Sequence, residues 1–507
     1  MSELRLTVGW LAAAIAGRIV SGDPEQVVGN VVTDSRSLQA GDFFVALKGP
    51  RFDGHAFVGE ALARGAMGAL VEAGAKADLK VRLYDRPGAN DRPGANDRRG
   101  ANDRRGANEA IETNVEADLQ VRPAAIVEVG DTTIGLQDLA HAVREWADTK
   151  VVAISGSAGK TTTKDTIADF LSASYRIVKN KGNLNNHIGL PLSLLQLRDH
   201  PDVAVMELGM NHAGEISTLV AIADPDVRVW TNVGDAHLGF FASPDAIADA
   251  KAEILERADP HDVLVCNADD PRVMARATRF AGRIVTFGEA DGASVRATAI
   301  EDRGTQGMRA RVMTREGECV VETPLLGRGN LANVLAATAV ALEFEIPLET
   351  IADRATALRA SARRGAVHRL RGGVTLVDDS YNSSPAALKR ALDVIAKESR
   401  AARRVAVLGE MLELGEYSSE MHRESGRVAA TAGLGALFAV GGAPARELAD
   451  AAVAAGMNAS AVGYFESSDA AAPAIAAAVR AGDVVLVKGS RGTRTDLIAD
   501  RIAEEFA

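Results

Sequence analysis

The sequence predicts an α/β protein of about three domains, with a parallel-sheet nucleotide-binding domain at its centre. Its 507 residues exceed what one hydrophobic core supports, since domains average roughly 150 residues. Short β-branched runs alternate with longer helical patterns over most of the chain, which is typical of parallel sheets. One of these runs leads through a glycine-rich loop into a helical pattern, and this order is typical of a phosphate-binding loop.

Composition excludes several classes of protein. The chain has 57 Lys and Arg against 68 Asp and Glu, a net charge of −11, which argues against a general nucleic-acid binder. No run approaches the roughly 18 to 20 apolar residues that span a bilayer. Only Cys266 and Cys319 are present, which fits a reducing compartment. Residues 8–16 are apolar, but Glu3 disfavours a signal peptide, so we expect the first helix of a cytoplasmic domain.

The first part of the chain, to about residue 130, mixes short strand patterns with glycine-rich turns. Residues 43–47 and 125–129 resemble strands, and residues 57–64 resemble a helix. A six-residue unit repeats over residues 85–108 as DRPGAN, DRPGAN, DRRGAN and DRRGAN, directly after the strand-like residues 79–84. These units offer almost nothing to bury, so the repeat predicts a flexible surface loop.

Two further sets of alternating strands and helices follow. Parallel sheets are expected from each set. The first set, from about residue 132 to 360, has buried-strand patterns at 151–154, 203–206, 229–233 and 263–267. The second set, from about residue 361, has them at 374–377, 405–408, 437–440 and 484–487. The segment Ser361 to Arg369 lies where the two domains would join.

The glycine-rich loop carries the strongest chemical signal. The strand VVAIS is followed by Gly156, Ser157, Ala158, Gly159, Lys160 and Thr161, and then by a helical pattern. Such a loop turns successive backbone N–H groups toward one anion at a helix N-terminus. The lysine would reach the terminal phosphates and the threonine hydroxyl would bind Mg²⁺. The strict pattern has glycine where this chain has Ile154.

Three other residues are candidates on weaker grounds. Glu207 ends a strand pattern, where a carboxylate can hold a metal ion that bridges phosphates. His237 also follows a strand, although a lone histidine in that position is more often structural. Lys251 belongs to a predicted helix over residues 244–257, and by itself it would be interpreted as a solvated surface lysine.

Several sequence blocks, in this order, resemble one family, the Mur ligases. They are TDSRSLQAGDFFVALKG, FDGHAF, GSAGKTTTK, KGNLNNHIGLPLSLL, MELGMNHAGEI, TNVGDAHLGFFASPDAIADAKAEI, DDSYNSSP, LGEMLELG and LVKGSRGTR. The resemblance covers nearly the whole chain except the hexad repeat, and the ordered set is far more specific than any single block.

The resemblance implies an architecture of three domains. It implies a domain for the UDP-linked substrate over residues 1–131, a P-loop ATPase domain over 132–360 and a Rossmann-like domain for an incoming dipeptide over 361–507. It also implies an ATP- and Mg²⁺-dependent cytoplasmic ligase of peptidoglycan precursor synthesis. The substrates would be UDP-N-acetylmuramoyl-tripeptide and D-alanyl-D-alanine, joined through an acyl phosphate. We expect a monomer without nucleic-acid partners.

The resemblance also implies roles for individual residues. Catalysis is implied for Lys160, His237, Lys251 and Arg364. ATP binding is implied for Gly156, Ser157, Ala158, Gly159, Lys160, Thr161, Thr162, Asn330, Asn333, Arg364 and Asp379. The implied metal ligands are Thr161, Glu207, His237 and Lys251, the last as a carbamate. Substrate binding is implied for Asp34, Ser35, Arg36, Asn183, Asn185, Asn186, Asn382, Lys488, Ser490 and Arg491.

The chain departs from the family pattern near the nucleotide and in the C-terminal part. Gly329 stands where the family usually has histidine, Ser383 and Ser384 replace Ala and Asn, and Thr493 replaces Met. None of these positions lies in the phosphate loop or among the implied metal ligands. The departures therefore concern details of binding more than the reaction.

Two alternatives differ in what they require of the chain. Another member of the same superfamily would add a different amino acid, but the DNPR-type motif of the diaminopimelate-adding ligases is absent from the sequence. Folylpolyglutamate synthases share the phosphate loop but not the TDSR block. A nucleotide-dependent switch protein would use the phosphate loop without carboxyl and amine substrates, and an ADP-release assay separates it from a ligase.

Overall fold

The computed structural model describes residues 5–74, 123–234, 241 and 243–507. The chain divides into two compact units, Met1–Leu139 and Ala140–Ala507. The hexad repeat, the strand-like residues 79–84 and the candidate His237 lie outside the described residues. Among the described helices, none combines the length and apolar character that a membrane span needs.

The described part of unit 1 is a small α/β fold around one mixed sheet. The sheet has the order β1-β7-β6-β3-β2, in which β1 is antiparallel to β7 and the other neighbours are parallel. The strands of this sheet are β1 (Arg18–Ser21), β2 (Val31–Val32), β3 (Phe43–Val45), β6 (Gly68–Glu72) and β7 (Ala125–Val129). The short strands β4 (Lys48–Gly49) and β5 (Phe52–Asp53) lie outside it and pair with each other. The helices are α1 (Val8–Ala14), α2 (Val58–Ala63) and α3 (Thr132–Trp146), and the boundary between the units falls within α3.

The expected N-terminal helix is confirmed as α1. The Thr7 side chain caps it by accepting a hydrogen bond from the backbone N–H of Trp10, the usual role of an N-cap threonine. Val8 and Leu11 are fully buried. The predicted strands at 43–47 and 125–129 and the predicted helix at 57–64 correspond to β3, β7 and α2.

The first part of unit 2 contains a sheet with the order β16-β15-β14-β13-β12-β11-β8-β10-β9. The strands are β8 (Lys150–Ser155), β9 (Ile177–Lys179), β10 (Val203–Glu207), β11 (Val227–Trp230), β12 (Val263–Asn267), β13 (Arg283–Gly288), β14 (Val295–Asp302), β15 (Met308–Thr314) and β16 (Gly317–Thr323). The helices are α4 (Lys160–Leu171), α5 (Gly189–Leu194), α6 (Glu215–Ala223), α7 (Pro244–Ala252), α8 (Pro271–Ala277), α9 (Gly327–Glu343) and α10 (Leu348–Ala357).

The predicted parallel sheet is present, with an extension that the sequence analysis did not foresee. From β9 to β14 every neighbouring pair is parallel, whereas β14, β15 and β16 pair antiparallel. The central strands β8 and β10 are apolar and buried along nearly their whole length, as expected for a sheet covered on both faces. Parallel pairing therefore brings the carboxyl ends of β8, β10 and β11 to one edge.

The second part of unit 2 has the predicted second sheet. Its order is β17-β18-β22-β19-β20-β21, with only β17 antiparallel among the described strands. The strands are β17 (Ala366–Arg369), β18 (Thr375–Asp379), β19 (Arg403–Gly409), β20 (Ala436–Val440), β21 (Val462–Phe465) and β22 (Asp483–Lys488). The helices are α11 (Pro385–Ala396), α12 (Ser418–Thr431), α13 (Ala443–Ala454), α14 (Ser468–Ala478) and α15 (Asp496–Glu505). Separate apolar clusters cover its two faces.

Candidate functional site

A cavity of about 710 Å³ lies in unit 2. The phosphate loop and the end of β10 line one side, and the chain after β18 together with the end of β22 lines the other. Because both sheets present the carboxyl ends of parallel strands to it, the cavity occupies the place where open α/β sheets bind their ligands.

The phosphate loop needs its two outer glycines for steric reasons. Gly156 has φ +151°, and a Cβ there would lie 1.9 Å from Thr231 Oγ1. Gly159 has φ +86°, and a Cβ there would lie 2.3 Å from Asn333 Oδ1. Both positions favour glycine for its positive φ, and the neighbouring side chains leave no room for any other residue.

The loop after β11 holds the phosphate loop in shape. Asn232 Oδ1 accepts from the Ala158 N–H at 2.9 Å, and Asn232 Nδ2 donates to the Ala158 carbonyl at 2.9 Å. Thr231 Oγ1 donates to the same carbonyl at 2.8 Å, and the Ser157 N–H donates to the Asn232 carbonyl at 3.0 Å. The backbone of the loop is therefore fixed before any anion binds.

Lys160 at the start of α4 and Glu207 at the end of β10 are the cation and the carboxylate of the site, and they lie close together. Lys160 Nζ donates to the Gly156 carbonyl at 2.8 Å. Thr161 Oγ1 donates to Glu207 Oε2 at 2.6 Å, and Asn185 Nδ2 donates to Glu207 Oε1 at 2.9 Å. Burial lowers the pKa of Lys160, opposed by the negative charge of Glu207. An anion in the loop would compensate for that burial.

Asn180 fixes the backbone that carries Glu207. Its side chain accepts from the Glu207 N–H at 3.0 Å and donates to the Glu207 carbonyl at 2.9 Å. It also donates to the Leu184 carbonyl at 2.9 Å, and its own carbonyl accepts from Lys164 Nζ at 2.8 Å. The end of β10 and the 183–186 loop are thus held by one buried amide.

Lys251 lies on α7 and is only 1% exposed, so its interpretation as a solvated surface lysine was wrong. Helical periodicity alone did not show that this face of α7 is buried. Burial lowers the pKa of Lys251 well below its ordinary value, and the nearby positive charge of Lys160 lowers it further. The neutral form of the Lys251 amine is therefore favoured more than it would be in water.

The opposite side of the cavity carries a second group of charges. Lys488, 3% exposed, donates to Asp379 Oδ2 at 2.6 Å and to the Asn382 carbonyl at 2.9 Å. The Arg364 guanidinium lies 3.9 Å from the centre of the Tyr381 ring, a cation–π contact. These side chains lie directly after β18, at the end of β22 and in the segment that joins the two sheets.

The joining segment is also linked to the phosphate-loop helix. Ser361 Oγ donates to Asp165 Oδ2, and Lys179 Nζ donates to Asp165 Oδ1 at 2.7 Å. The Arg364 N–H donates to the Ser361 carbonyl at 3.0 Å. These contacts position Arg364 close enough to Lys160 for its charge to lower the pKa of that lysine.

Three family models match successive parts of the chain. They are the Mur ligase family catalytic domain over residues 27–147, the Mur ligase middle domain over 154–341 and the Mur ligase glutamate ligase domain over 363–491. The chain belongs to the Mur ligase family. The predicted fold class, a Mur ligase architecture with a central P-loop domain and a C-terminal Rossmann-like domain, is thereby confirmed.

Curated relatives match the chain over most or nearly all of their length. The UDP-N-acetylmuramoyl-tripeptide–D-alanyl-D-alanine ligase of Bacillus subtilis strain 168 is 31% identical over 503 residues, which cover 99% of each chain. The enzyme of the same name from Escherichia coli K12 is 34% identical over 412 residues, 81% of each chain. The enzyme of that name from Mycobacterium tuberculosis H37Rv is 33% identical and covers 99% of this chain and 98% of the relative.

Solved structures agree with the sequence comparisons. A crystal structure of MurF from Acinetobacter baumannii has a TM-score of 0.80 and 30% identity, and covers 99% of this Mur ligase and 100% of that chain. MurF ligase from Thermotoga maritima, solved in complex with ADP, has a TM-score of 0.74 and 27% identity, and covers 94% and 97% of the two chains. A folylpolyglutamate synthase at 18% identity shares only the fold.

Most candidate residues of this Mur ligase line the one cavity. Those that do are Ser157, Ala158, Gly159, Lys160, Thr161, Thr162, Asn183, Asn185, Asn186, Glu207, Asn330, Asn333, Arg364, Asp379, Asn382 and Lys488. Gly156, Lys251, Ser490 and Arg491 belong to unit 2 without lining it.

Asp34, Ser35 and Arg36 belong to unit 1. Asp34 Oδ2 pairs with Arg36 Nη2 at 2.7 Å, and the Ser35 carbonyl accepts from Arg64 Nη1 at 3.1 Å. Hydrogen bonds from the Arg36 side chain and backbone lower the pKa of Asp34 to about 2. This pair presents a fixed carboxylate and guanidinium at the surface of unit 1.

Sequence reasoning missed the residues that support the site. Asn180, Thr231, Asn232 and Tyr381 were not singled out, although each contacts a residue that was. Thr231, Asn232 and Tyr381 lie in the blocks TNVGDAHLGFF and DDSYNSSP that carry the family resemblance, and this was the signal that could have found them. The contacts of Thr231 and Asn232 with the phosphate loop become visible only when the strand order is known.

One departure from the family pattern has a local explanation. Thr493 stands where the family usually has methionine. Its Oγ1 donates to the Ser490 carbonyl, so the hydroxyl stabilises the turn that contains it. Gly329 lies against the side chain of Arg390, 3.4 Å from where a Cβ would stand. Ser383 Oγ is buried without a hydrogen-bond partner among the described residues, and nothing in the structure explains it.

Proposed function

We propose that this Mur ligase joins the amine of D-alanyl-D-alanine to the terminal carboxylate of UDP-N-acetylmuramoyl-tripeptide, with hydrolysis of ATP to ADP and phosphate. The relatives named above carry this activity in their names. The observation that supports it best is the single cavity that joins a phosphate loop to the charged residues of a second sheet. A nucleotide switch protein would not need the charged residues of the second sheet.

The ATP phosphates would bind to residues 156–162. Backbone N–H groups there meet the N-terminus of α4, where the helix dipole favours anions. Lys160, whose burial lowers its pKa, would exchange its bond to the Gly156 carbonyl for a phosphate oxygen. Asn330 and Asn333 would lie beside the adenine, Arg364 would contact the phosphates, and Asp379 would be near the ribose.

Thr161 and Glu207 fit one Mg²⁺ ion. Their oxygens are 2.6 Å apart beside the phosphate loop, and both are the hard ligands that Mg²⁺ prefers. The described residues contain no group of three or more His, Cys, Asp or Glu side chains able to hold a metal. Mg²⁺ needs only one or two carboxylates, because phosphates and water complete its octahedron. When bound, it would neutralise charge on the phosphates.

Lys251 would hold a second ion as a carbamate. A neutral lysine amine can attack CO₂, form an N–C bond and release a proton, which leaves a carboxylate on the side chain. Burial and the positive charge of Lys160 lower the pKa of Lys251 and so favour the neutral amine, and the resulting anion would pair with that charge. His237 would be its partner ligand by family resemblance.

The reaction would proceed in two steps. A carboxylate oxygen of the tripeptide attacks the γ-phosphorus and ADP leaves, which gives an acyl phosphate. The dipeptide amine then attacks the acyl carbon, loses a proton, and phosphate leaves. Lys160 and Arg364 screen the repulsion between the first two anions. The contact of Arg364 with Tyr381 on the second sheet would help to exclude water from the acyl phosphate.

The remaining assignments follow from the same resemblance. We propose the three-domain division at residues 1–131, 132–360 and 361–507, with Asp34, Ser35 and Arg36 meeting the uridine nucleotide. Asn183, Asn185 and Asn186 would face the muramoyl substrate. Asn382, Lys488, Ser490 and Arg491 would bind the incoming dipeptide. A monomeric, cytoplasmic enzyme would complete the proposal.

A coupled ADP-release assay tests the function. The purified chain is supplied with ATP, Mg²⁺ and UDP-N-acetylmuramoyl-tripeptide, and then with a panel of amines that includes D-alanyl-D-alanine, single D- and L-amino acids, and glutamate. The proposal expects sustained ADP release only with D-alanyl-D-alanine. Equal release without any amine would indicate a simple nucleotidase, and release with another amine would replace the proposed substrate.

A further inference from the structure

The loop that follows β19 is held at two consecutive backbone N–H groups. The Met411 N–H donates to His422 Nε2 at 2.9 Å, and the Leu412 N–H donates to Ser490 Oγ at 2.9 Å. Directly beyond these two bonds, Leu412, Glu413 and Leu414 line the cavity on the side of the second sheet. The position of this part of the wall therefore depends on the His422 and Ser490 side chains.

The His422 ring can serve the loop in only one state. It is 0% exposed on α12, and its Nδ1 lies 2.7 Å from the Ser418 carbonyl oxygen. A carbonyl only accepts, so Nδ1 must carry the proton, and a backbone N–H only donates, so Nε2 of His422 must offer its lone pair to Met411. Both partners are backbone groups of fixed polarity, which makes the neutral Nδ1–H tautomer the one that satisfies both.

The surroundings of His422 favour that neutral state on balance. Burial lowers its pKa, and this is opposed more weakly by the hydrogen bond to the Ser418 carbonyl and by the carboxylates of Glu410 in the loop and Glu447 on α13. Glu447 pairs with Arg423 at 2.9 Å, and the Glu410 carboxylate accepts from the Gly442 N–H. Because folding depresses the pKa, the contribution of His422 is present above its ordinary pKa of 6.5 and is lost as pH falls toward the lower folded value.

We propose that His422 is a positioning residue for the incoming amine substrate, because its neutral ring fixes the backbone at Met411 and so sets the wall formed by residues 412–414. This inference rests on the proposed function, in which the side of the cavity formed by the second sheet receives the dipeptide. His422 itself touches no substrate. Protonation would place an Nε2–H against the Met411 N–H and release the loop.

Two amide substitutions test the acceptor directly. In His422→Gln the side-chain oxygen reaches the former Nε2 position and can still accept from the Met411 N–H. In His422→Asn the shorter amide can donate to the Ser418 carbonyl but cannot reach the loop. Both remove the titrating ring, and each keeps one of its two hydrogen bonds, Gln the bond to Met411 and Asn the bond to Ser418. Thermal melts show whether each variant is folded.

The readout is the KM for D-alanyl-D-alanine and for ATP, each measured from pH 5.5 to 8. At pH 7.5 His422→Asn should raise the dipeptide KM roughly tenfold, the factor expected from one lost buried hydrogen bond, and leave the ATP KM unchanged. His422→Gln should stay close to wild type. As pH falls through the lowered pKa of the folded His422, the ratio of wild-type to Gln dipeptide KM should rise, and the ionisation of the dipeptide amine cancels in that ratio.

The outcomes separate the two proposals. Equal dipeptide KM values in wild type and His422→Asn, or a rise shared equally by ATP, would overturn the role of His422 while leaving the proposed function intact. If the Asn variant does not fold, a roughly tenfold higher dipeptide KM in His422→Gln, which keeps the acceptor for Met411, overturns the inference by itself. No dipeptide-dependent ADP release by the wild type would overturn the proposed function and this inference with it.

Discussion

Replacing Lys251 by methionine should remove activity while making the protein slightly more stable. The lysine is 1% exposed, and burial together with the charge of Lys160 disfavours its charged form. Methionine has nearly the same shape and keeps the apolar contacts of the stem. Opposite effects on turnover and stability are expected of a group kept for chemistry and not for folding.

The magnitudes follow from burial and charge. Burial of the amine costs free energy, which is what lowers the pKa of Lys251, so Lys251→Met should raise the free energy of unfolding by about 1 kcal/mol. Folding lowers the pKa of Lys251, so the unfolded chain binds more protons below the ordinary value of 10.5, and wild-type stability rises with pH. The methionine variant lacks this slope. Loss of a charge-stabilising group should cost about 10²–10³ in turnover.

Lys251→Ala provides the matched comparison. Alanine leaves a space beside Lys160 that a short-chain carboxylic acid such as acetate can enter, whereas methionine fills it. We therefore expect added carboxylate to restore part of the ADP release of the alanine variant and none of that of the methionine variant. Chemical denaturation gives the stability, and the coupled assay gives the turnover.

Two results would refute this reasoning. Wild-type turnover in Lys251→Met would show that neither the amine nor its carbamate takes part in the reaction. A methionine variant that is inactive and also clearly less stable than wild type would assign Lys251 to the fold. In that case rescue of the alanine variant by carboxylate would have no basis.

Three further outcomes are expected. Lys160→Ala should abolish ADP release with all substrates present while a thermal melt shows an intact fold, and retained turnover would contradict the phosphate-loop assignment. Deletion of residues 85–108, which lie outside every catalytic block, should leave kcat and KM nearly unchanged, and a large loss would give the repeat a role. Asp34 should titrate near 2 by NMR, and Arg36→Ala should return its pKa toward the ordinary 3.8; an unshifted titration would contradict the ion pair.

The central strands could be predicted because burial on both faces makes them continuous apolar runs. The predicted strand at 263–267 coincides with β12, and β8 differs from its prediction by one residue at each end. The strand predicted at 229–233 is instead Val227–Trp230, because Thr231 and Asn232 leave the sheet to hydrogen-bond the phosphate loop. The antiparallel strands β14 to β16 alternate exposed and buried residues, and a search for buried runs passes over them.

The residues that carry the chemistry of the site were easier to predict from the sequence than the residues that hold them in place. Lys160 and Thr161 lie in a contiguous motif, and local spacing is enough to predict what they do. The burial of Lys251 depends on tertiary packing, which one helix does not encode. The two hydrogen bonds between the Asn180 side chain and the Glu207 backbone connect the ends of two strands that are separated in sequence. Such supporting contacts become predictable only once strand neighbours are known.

The pairing of β6 with β7 has a practical consequence for handling the enzyme. These strands are parallel neighbours in register from Gly68 to Glu72, and a parallel pair always needs a crossover connection of a dozen or more residues. The two ends of the connection are pinned by the strands, and lengthening a connection adds little entropy cost. The repeat-bearing segment between them is therefore a suitable place to insert an affinity tag or a fluorophore.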